Sequence, residues 1–182
     1  MEQYFVIFGG VIIVGTLATV MVRAQRRLDH SFSLHAAQRR DLYLLFAFGI
    51  TTAMVVFALW FWRWLVPTYG LDWRLKTVFS SFLVLMIITA WIPYTSVLKK
   101  RFHDAAFYAA AGLLPVMALL SAYQQSLPEA ARTASWIVLG IDLLLGLTFV
   151  FRNREVKQRY FVFQSIFVSV ALLQLIAMTF LK

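Results

Sequence analysis

Residues 42–62 read LYLLFAFGITTAMVVFALWFW: 21 residues with no charged side chain, preceded by Arg39, Arg40 and Asp41 and followed by Arg63. At about 1.5 Å of rise per residue, an α-helix of this length crosses a hydrocarbon layer about 30 Å thick. In water the stretch would have no polar face to present; in lipid it needs none. Five further runs are of the same kind: 4–22, 77–98, 105–123, 133–151 and 160–181. Each is 19 to 22 residues long, and the only charge in any of them is Asp142, in the run 133–151.

The six runs take up two thirds of the 182 residues; 62% of the chain is hydrophobic and 14% charged. A soluble domain carries roughly a quarter charged residues, so too few polar groups remain here to coat a globule. A transmembrane barrel would alternate apolar and polar residues, and these runs do not. The expected fold is therefore all-α, a polytopic bundle of six transmembrane helices in which residues 1–182 form one membrane domain. Cysteine is absent, which removes disulfides and thiolate chemistry.

The loops sort by charge. Arg23, Arg26, Arg27, Arg39 and Arg40 lie between the first two runs, Lys99, Lys100 and Arg101 between the third and fourth, and Arg152, Arg154, Lys157 and Arg159 between the last two. That puts twelve basic residues on one side against five on the other, Arg63, Arg74, Lys76, Arg132 and Lys182. Short loops rich in Arg and Lys stay in the cytoplasm, so both termini are expected outside, in a multi-pass arrangement that suits a bacterial inner membrane. The first run has its basic cluster after it, which marks an uncleaved span. The clusters at Arg23–Arg40 and Lys99–Arg101 should meet anionic headgroups, making membrane lipids the expected partners. Leu28, Phe32 and Leu34 among the arginines of 23–40 allow either an interfacial amphipathic piece or helix extensions joined by a turn. Twelve basic residues spread over three short loops serve orientation first, so nucleic acid is not an expected partner.

Local signals place some boundaries. Ser126-Leu-Pro-Glu129 matches a capping box, which would start the fifth helix near Leu127. Pro67-Thr-Tyr-Gly70 reads as a tight external turn. Trp60, Trp62, Trp64, Trp73 and Tyr69 read as an aromatic belt, while Asp41 and Asp104 would sit at the positive ends of outbound helices.

Asp142 is the principal functional candidate. An Asp at the middle of a span costs about 2.5 to 3.5 kcal/mol on insertion scales, so it should face the bundle interior and stay protonated or find a donor. No run contains Lys or Arg to neutralise it. Neutral candidates for its partner are Gln164 and Gln174 in the sixth run, Thr51 and Thr52 in the second, and Thr89 in the third. Gly140 and Gly146 flank it, and small residues there would let a neighbouring helix approach closely; Gly15 with Thr19 makes a similar pair in the first run, near Gly9 and Gly10. Ser135 shares the Asp142 face two turns earlier. Pro93 should kink the third helix, with Thr89 bonding the freed carbonyl, and Pro115 the fourth; two kinked helices can open a cavity.

His30, His35 and His103 fall outside the runs, beside basic residues. With no histidine in any run, neither haem nor another cofactor is expected, and no metal site is proposed. Nucleotide-loop, dinucleotide, zinc-hydrolase, serine-hydrolase and potassium-filter signatures are all absent from the sequence. Three classes remain. One is a small channel or transporter subunit, naturally a homo-oligomer, in which Asp142 lines a path for protons, cations or a small solute. Another is a non-catalytic sensor, assembly or interaction module acting on a partner membrane protein through its helix faces. The third is a lipid-modifying enzyme, for which a single deep ionisable residue is a poor start.

Overall fold

The computed structural model describes residues 2–24, 30–93 and 96–181. Regular structure among them is helical throughout, and six helices are long and apolar enough to span a membrane. After a 3-10 turn at Glu2–Tyr4 come α1 (Phe5–Arg23), the short α2 (Phe32–Ala36) and α3 (Arg40–Trp60). The third helix runs on through a π-helical turn, Phe61–Leu65, into α4 (Val66–Tyr69). Then follow α5 (Trp73–Trp91), α6 (Val97–Tyr123), α7 (Glu129–Phe151), the short α8 (Asn153–Gln158) and α9 (Tyr160–Phe180). Short connections make successive long helices neighbours. Thus α1 packs on α3, α3 on α5, α5 on α6, α6 on α7 and α7 on α9, and α9 returns to α1. The ring has a basic end, carrying exposed Arg23, Arg39, Arg40, Lys99, Lys100 and Arg101, and a tryptophan end; Arg26 and Arg27 lie outside the described residues.

Lipid tails are as apolar as the side chains, so close packing rather than water exclusion holds such helices together. The tightest approach joins α1 and α3: a methyl group on Gly49 would run into Thr16, and one on Gly9 into the ring of Phe57. Toward the tryptophan end the interior is filled by Phe57, Trp60, Phe61 and Phe79, none more than 1% exposed. The rings of Phe61 and Phe79 stack at 4.0 Å between centroids. Trp60 is therefore a core residue, whereas Trp62 and Trp73 are exposed in the manner of a belt.

Several expected boundaries move. Pro93 ends α5 at Trp91 instead of kinking it, so the third span begins earlier and ends earlier than 77–98. Thr89 Oγ1 donates to the Leu85 carbonyl at 2.8 Å, the ordinary back-bond within its own helix. The carbonyls exposed at the break are met by other helices: Tyr43 Oη donates to Trp91 O at 2.7 Å and His103 Nδ1 to Ile92 O at 3.1 Å. Trp91 Nε1 in turn donates to Thr51 Oγ1 at 2.8 Å, which tethers α5 to α3. A helix ending within a bundle leaves carbonyls that need such donors.

Lys99, Lys100 and Arg101 lie in the first turns of α6, capped by Ser96, and not in a loop; Asp104 consequently sits well inside that helix. Asp41 keeps its expected place in the first turn of α3, paired with Arg39 at 2.7 Å. Ser126 does not cap α7, which starts at Glu129; its hydroxyl accepts from Gln124 Nε2 at 2.6 Å. Pro67 stays helical, and the turn falls at Gly70, whose φ of +56° is the left-handed cap that glycine adopts without strain. The π-turn comes just before Pro67, whose missing N–H leaves the carbonyl four residues back without its usual donor.

The segment around α2 is a buried wedge rather than a helix lying on headgroups. Ser31 caps it through Leu34 N at 3.1 Å, and Phe32, Ser33, His35 and Ala36 are all buried. Its first amide, Phe32 N–H, donates to Gln164 Oε1 on α9 at 3.0 Å. His35 Nδ1 donates to Ser31 O at 2.8 Å, so this histidine, outside the apolar runs, is nevertheless packed inside the fold.

Candidate functional site

Helix α7 is the most exposed of the spans. Its buried residues are Ala131, Ser135, Val138 and Asp142, spaced four, three and four apart, which draws one narrow stripe down a 23-residue helix. Asp142 thus shares a face with Ser135, as the spacing implied, and is 5% exposed. Both carboxylate oxygens are buried without a hydrogen-bond partner among the described residues.

Asp142 is among the residues lining a cavity of about 330 Å³ formed by α6, α7 and α9, its two oxygens tucked beneath the wall. Proline and glycine help to make this space: Ala111, Gly112 and Pro115 line it from α6, and a methyl group on Gly112 would touch nothing within 4 Å. Pro115 lies inside a continuous α6 and removes the donor that the Ala111 carbonyl would otherwise have. Aromatic rings complete the wall, with Phe107 and Tyr108 on α6, Phe149 on α7, and Tyr160, Phe163 and Phe167 at and beyond the start of α9. Phe149 stands between Tyr108 at 5.5 Å and Phe163 at 5.9 Å, measured between ring centroids. On the rim, Leu143, Leu147 and Val150 are exposed, so the cavity opens on the outer flank of the bundle. Among the described residues no Lys, Arg or His lines it.

Toward the tryptophan end a small apolar cluster, Ala118, Val138 and Val170, joins the same three helices. Asp142 lies one turn from Val138 on the basic side, and Gln174 one turn beyond Val170 on the other. At 1.5 Å per residue the two polar groups are separated by roughly 12 Å along the bundle, with the cluster between them. Gln174 is 1% exposed, and its amide nitrogen and oxygen have no hydrogen-bond partner among the described residues.

The other candidates divide. Gln164 lines the Asp142 cavity and also a second, smaller one of about 70 Å³ on the bundle axis, where Thr89 and His103 are found. Phe107, Gln164 and Phe167 belong to both and form the partition. Thr89 is accordingly on the far side of that partition from Asp142, and Pro93 does not line either cavity. Thr51 is occupied with Ala47 O and Trp91. Gly140, Gly146 and Gly15 do not mediate close approach within the chain: a methyl group on any of them meets nothing within 4 Å. Gly146 lines the cavity instead. The residues missed from the sequence are those of the aromatic wall. Their signal was present in the Phe107/Tyr108 and Phe163/Phe167 spacings, but aromatic residues at helical intervals read first as packing.

Comparison with family models, curated proteins and solved structures finds no match to this chain.

Proposed function

We propose that the protein is a small multi-pass transporter whose working site is the α6–α7–α9 cavity, with Asp142 carrying the proton or cation. The observation behind this reading is a mid-span acid that lines a cavity and whose two oxygens have no partner among the described residues. A carboxyl kept only as structural glue would be bonded to a neighbouring helix, because an unpartnered buried polar group is costly. General acid–base catalysis is best served by a His, a Lys or a second carboxyl beside Asp142, and the described lining offers only the phenols of Tyr108 and Tyr160.

The apolar cluster between Asp142 and Gln174 fits a path closed at one point, with the cavity as its open half. In the orientation we propose, the twelve basic residues face the cytoplasm, both termini lie outside and the cavity belongs to the cytoplasmic half of a bacterial inner membrane. Exposed Arg23, Arg39, Arg40, Lys99, Lys100 and Arg101 then contact anionic headgroups.

The test is flux. Liposomes containing the purified protein and a pH-sensitive dye should dissipate an imposed proton or cation gradient faster than empty ones. Asp142→Asn, with unchanged helical circular dichroism, should return the rate to that of empty liposomes. Equal rates for protein-loaded and empty liposomes across proton, sodium and potassium gradients would refute the reading.

A further inference from the structure

We infer that the cavity binds an amphiphilic aromatic cation, entering from the lipid flank and seated with its charge against Asp142. This deepens the reading above and rests on Asp142 being the working group of that site. The chemistry of the wall selects the ligand. Six aromatic side chains, Phe107, Tyr108, Phe149, Tyr160, Phe163 and Phe167, line the cavity together with one acid, Asp142. Flat apolar walls favour a flat apolar body, while aromatic faces attract a cation and repel an anion. An acid with no counter-ion in a low-dielectric space can release its proton when a cation enters to balance the charge, so cation binding is coupled to proton release. An anionic or zwitterionic solute would meet no positive side chain among the described lining residues.

Size and access agree. A volume of about 330 Å³ falls at the lower end of small-molecule pockets and admits a fused-ring amine rather than a two-chain lipid. Exposed Leu143, Leu147 and Val150 at the rim mean that the mouth faces acyl chains, where amphiphilic cations concentrate by partition. The small residues Gly112 and Gly146 keep the floor clear, since a methyl group at either position meets nothing within 4 Å.

The experiment titrates ethidium, whose fluorescence rises when it leaves water, into the purified protein in maltoside micelles. Its uncharged parent phenanthridine serves as competitor at mildly alkaline pH. Saturable binding is expected, weakened about thirtyfold or more by Asp142→Asn, the ratio expected when one partner of a buried charge pair is removed. Gly146→Leu and Gly112→Leu, which fill the cavity from two different helices and leave the acid in place, should each weaken binding at least tenfold with helicity unchanged. Phenanthridine should displace ethidium poorly.

No saturable binding to the wild type would overturn the inference. So would equal affinity in Asp142→Asn, or displacement by phenanthridine as effective as by its N-methylated cation, either of which would make this an acyl-chain pocket. The two proposals fail separately. Asp142-dependent proton flux without ethidium binding removes the aromatic cation and keeps the transporter. Asp142-dependent binding without any flux keeps the site and removes transport.

Discussion

Replacing Gly49 by alanine should loosen the bundle at its tightest seam. A Cβ built there overlaps Thr16 Oγ1 and lies 2.6 Å from Thr16 Cγ2 and 2.9 Å from Thr16 Cβ. Carbon atoms settle at about 3.5 to 4.0 Å. Rotating Thr16 relieves the hydroxyl and methyl contacts, but the contact with Cβ is fixed by the backbone of α1. The helices must therefore part by about 0.6 Å or more, and overpacking of this kind costs about 1 to 3 kcal/mol. Alanine recovers up to about 1 kcal/mol of helix propensity, leaving a net destabilisation of about 2 kcal/mol at the upper end of that range. Gly140→Ala meets no neighbour within 4 Å and should show the propensity gain alone, a change of opposite sign. Titration with sodium dodecyl sulfate in mixed micelles, followed by helical circular dichroism, measures both. Thr16→Gly in the Gly49→Ala background should restore most of the loss as a coupling term of about 1 kcal/mol or more. The packing argument fails if Gly49→Ala is as stable as the wild type, or if the double variant is simply additive.

Two other predictions follow from different parts of the structure. Gln164→Leu removes the acceptor of the buried Phe32 N–H and should cost about 1 to 3 kcal/mol locally, freeing the α2 wedge. Trypsin should then cut at Arg39 or Arg40 sooner than in the wild type, and an unchanged cleavage rate would show that α2 is held by other contacts. The cysteine-free chain also permits a clean topology measurement. In intact cells an impermeant maleimide should label Thr68→Cys, at the exposed tryptophan end, and spare Leu98→Cys, which is 64% exposed near the basic end. The reverse pattern would invert the proposed orientation and leave the helices untouched.

The spans were legible because length and apolarity alone determine them; four of the six helices cover the expected runs with an extension at one or both ends, and α9 matches its run to within one residue. The exceptions share a cause. At Pro93, at the Ser126–Glu129 box and at Pro67–Gly70, local residue preference pointed one way, and what surrounded the helix end decided otherwise. Pro93 can terminate α5 because Tyr43 and His103 are placed to receive the open carbonyls, and both come from other helices. Nothing within 77–98 announces that. The burial of His35 was illegible for the same reason: flanking basic residues set it outside the apolar runs, and it is fully buried because α2 folds back under the bundle.

The site shows how far sequence depth reaches. Position in the span identified Asp142 before any contact was known, since a mid-membrane acid is costly wherever it faces. Its partner was not identifiable, and the structure explains why: among the described residues no side chain bonds the carboxyl, and Asp142 lines a cavity instead. Periodicity likewise suggested that Gly140 and Gly146 let helices approach, when the close approach belongs to Gly9 and Gly49. Glycine lowers bulk in either circumstance; whether a neighbour moves in or a space stays open depends on the opposing helix. Against α3 the opposing residue is Thr16, which fills the gap. Opposite α7 the residues are Gly112 and Pro115, small or unable to close ranks, and the space remains beside the one acid in the spans.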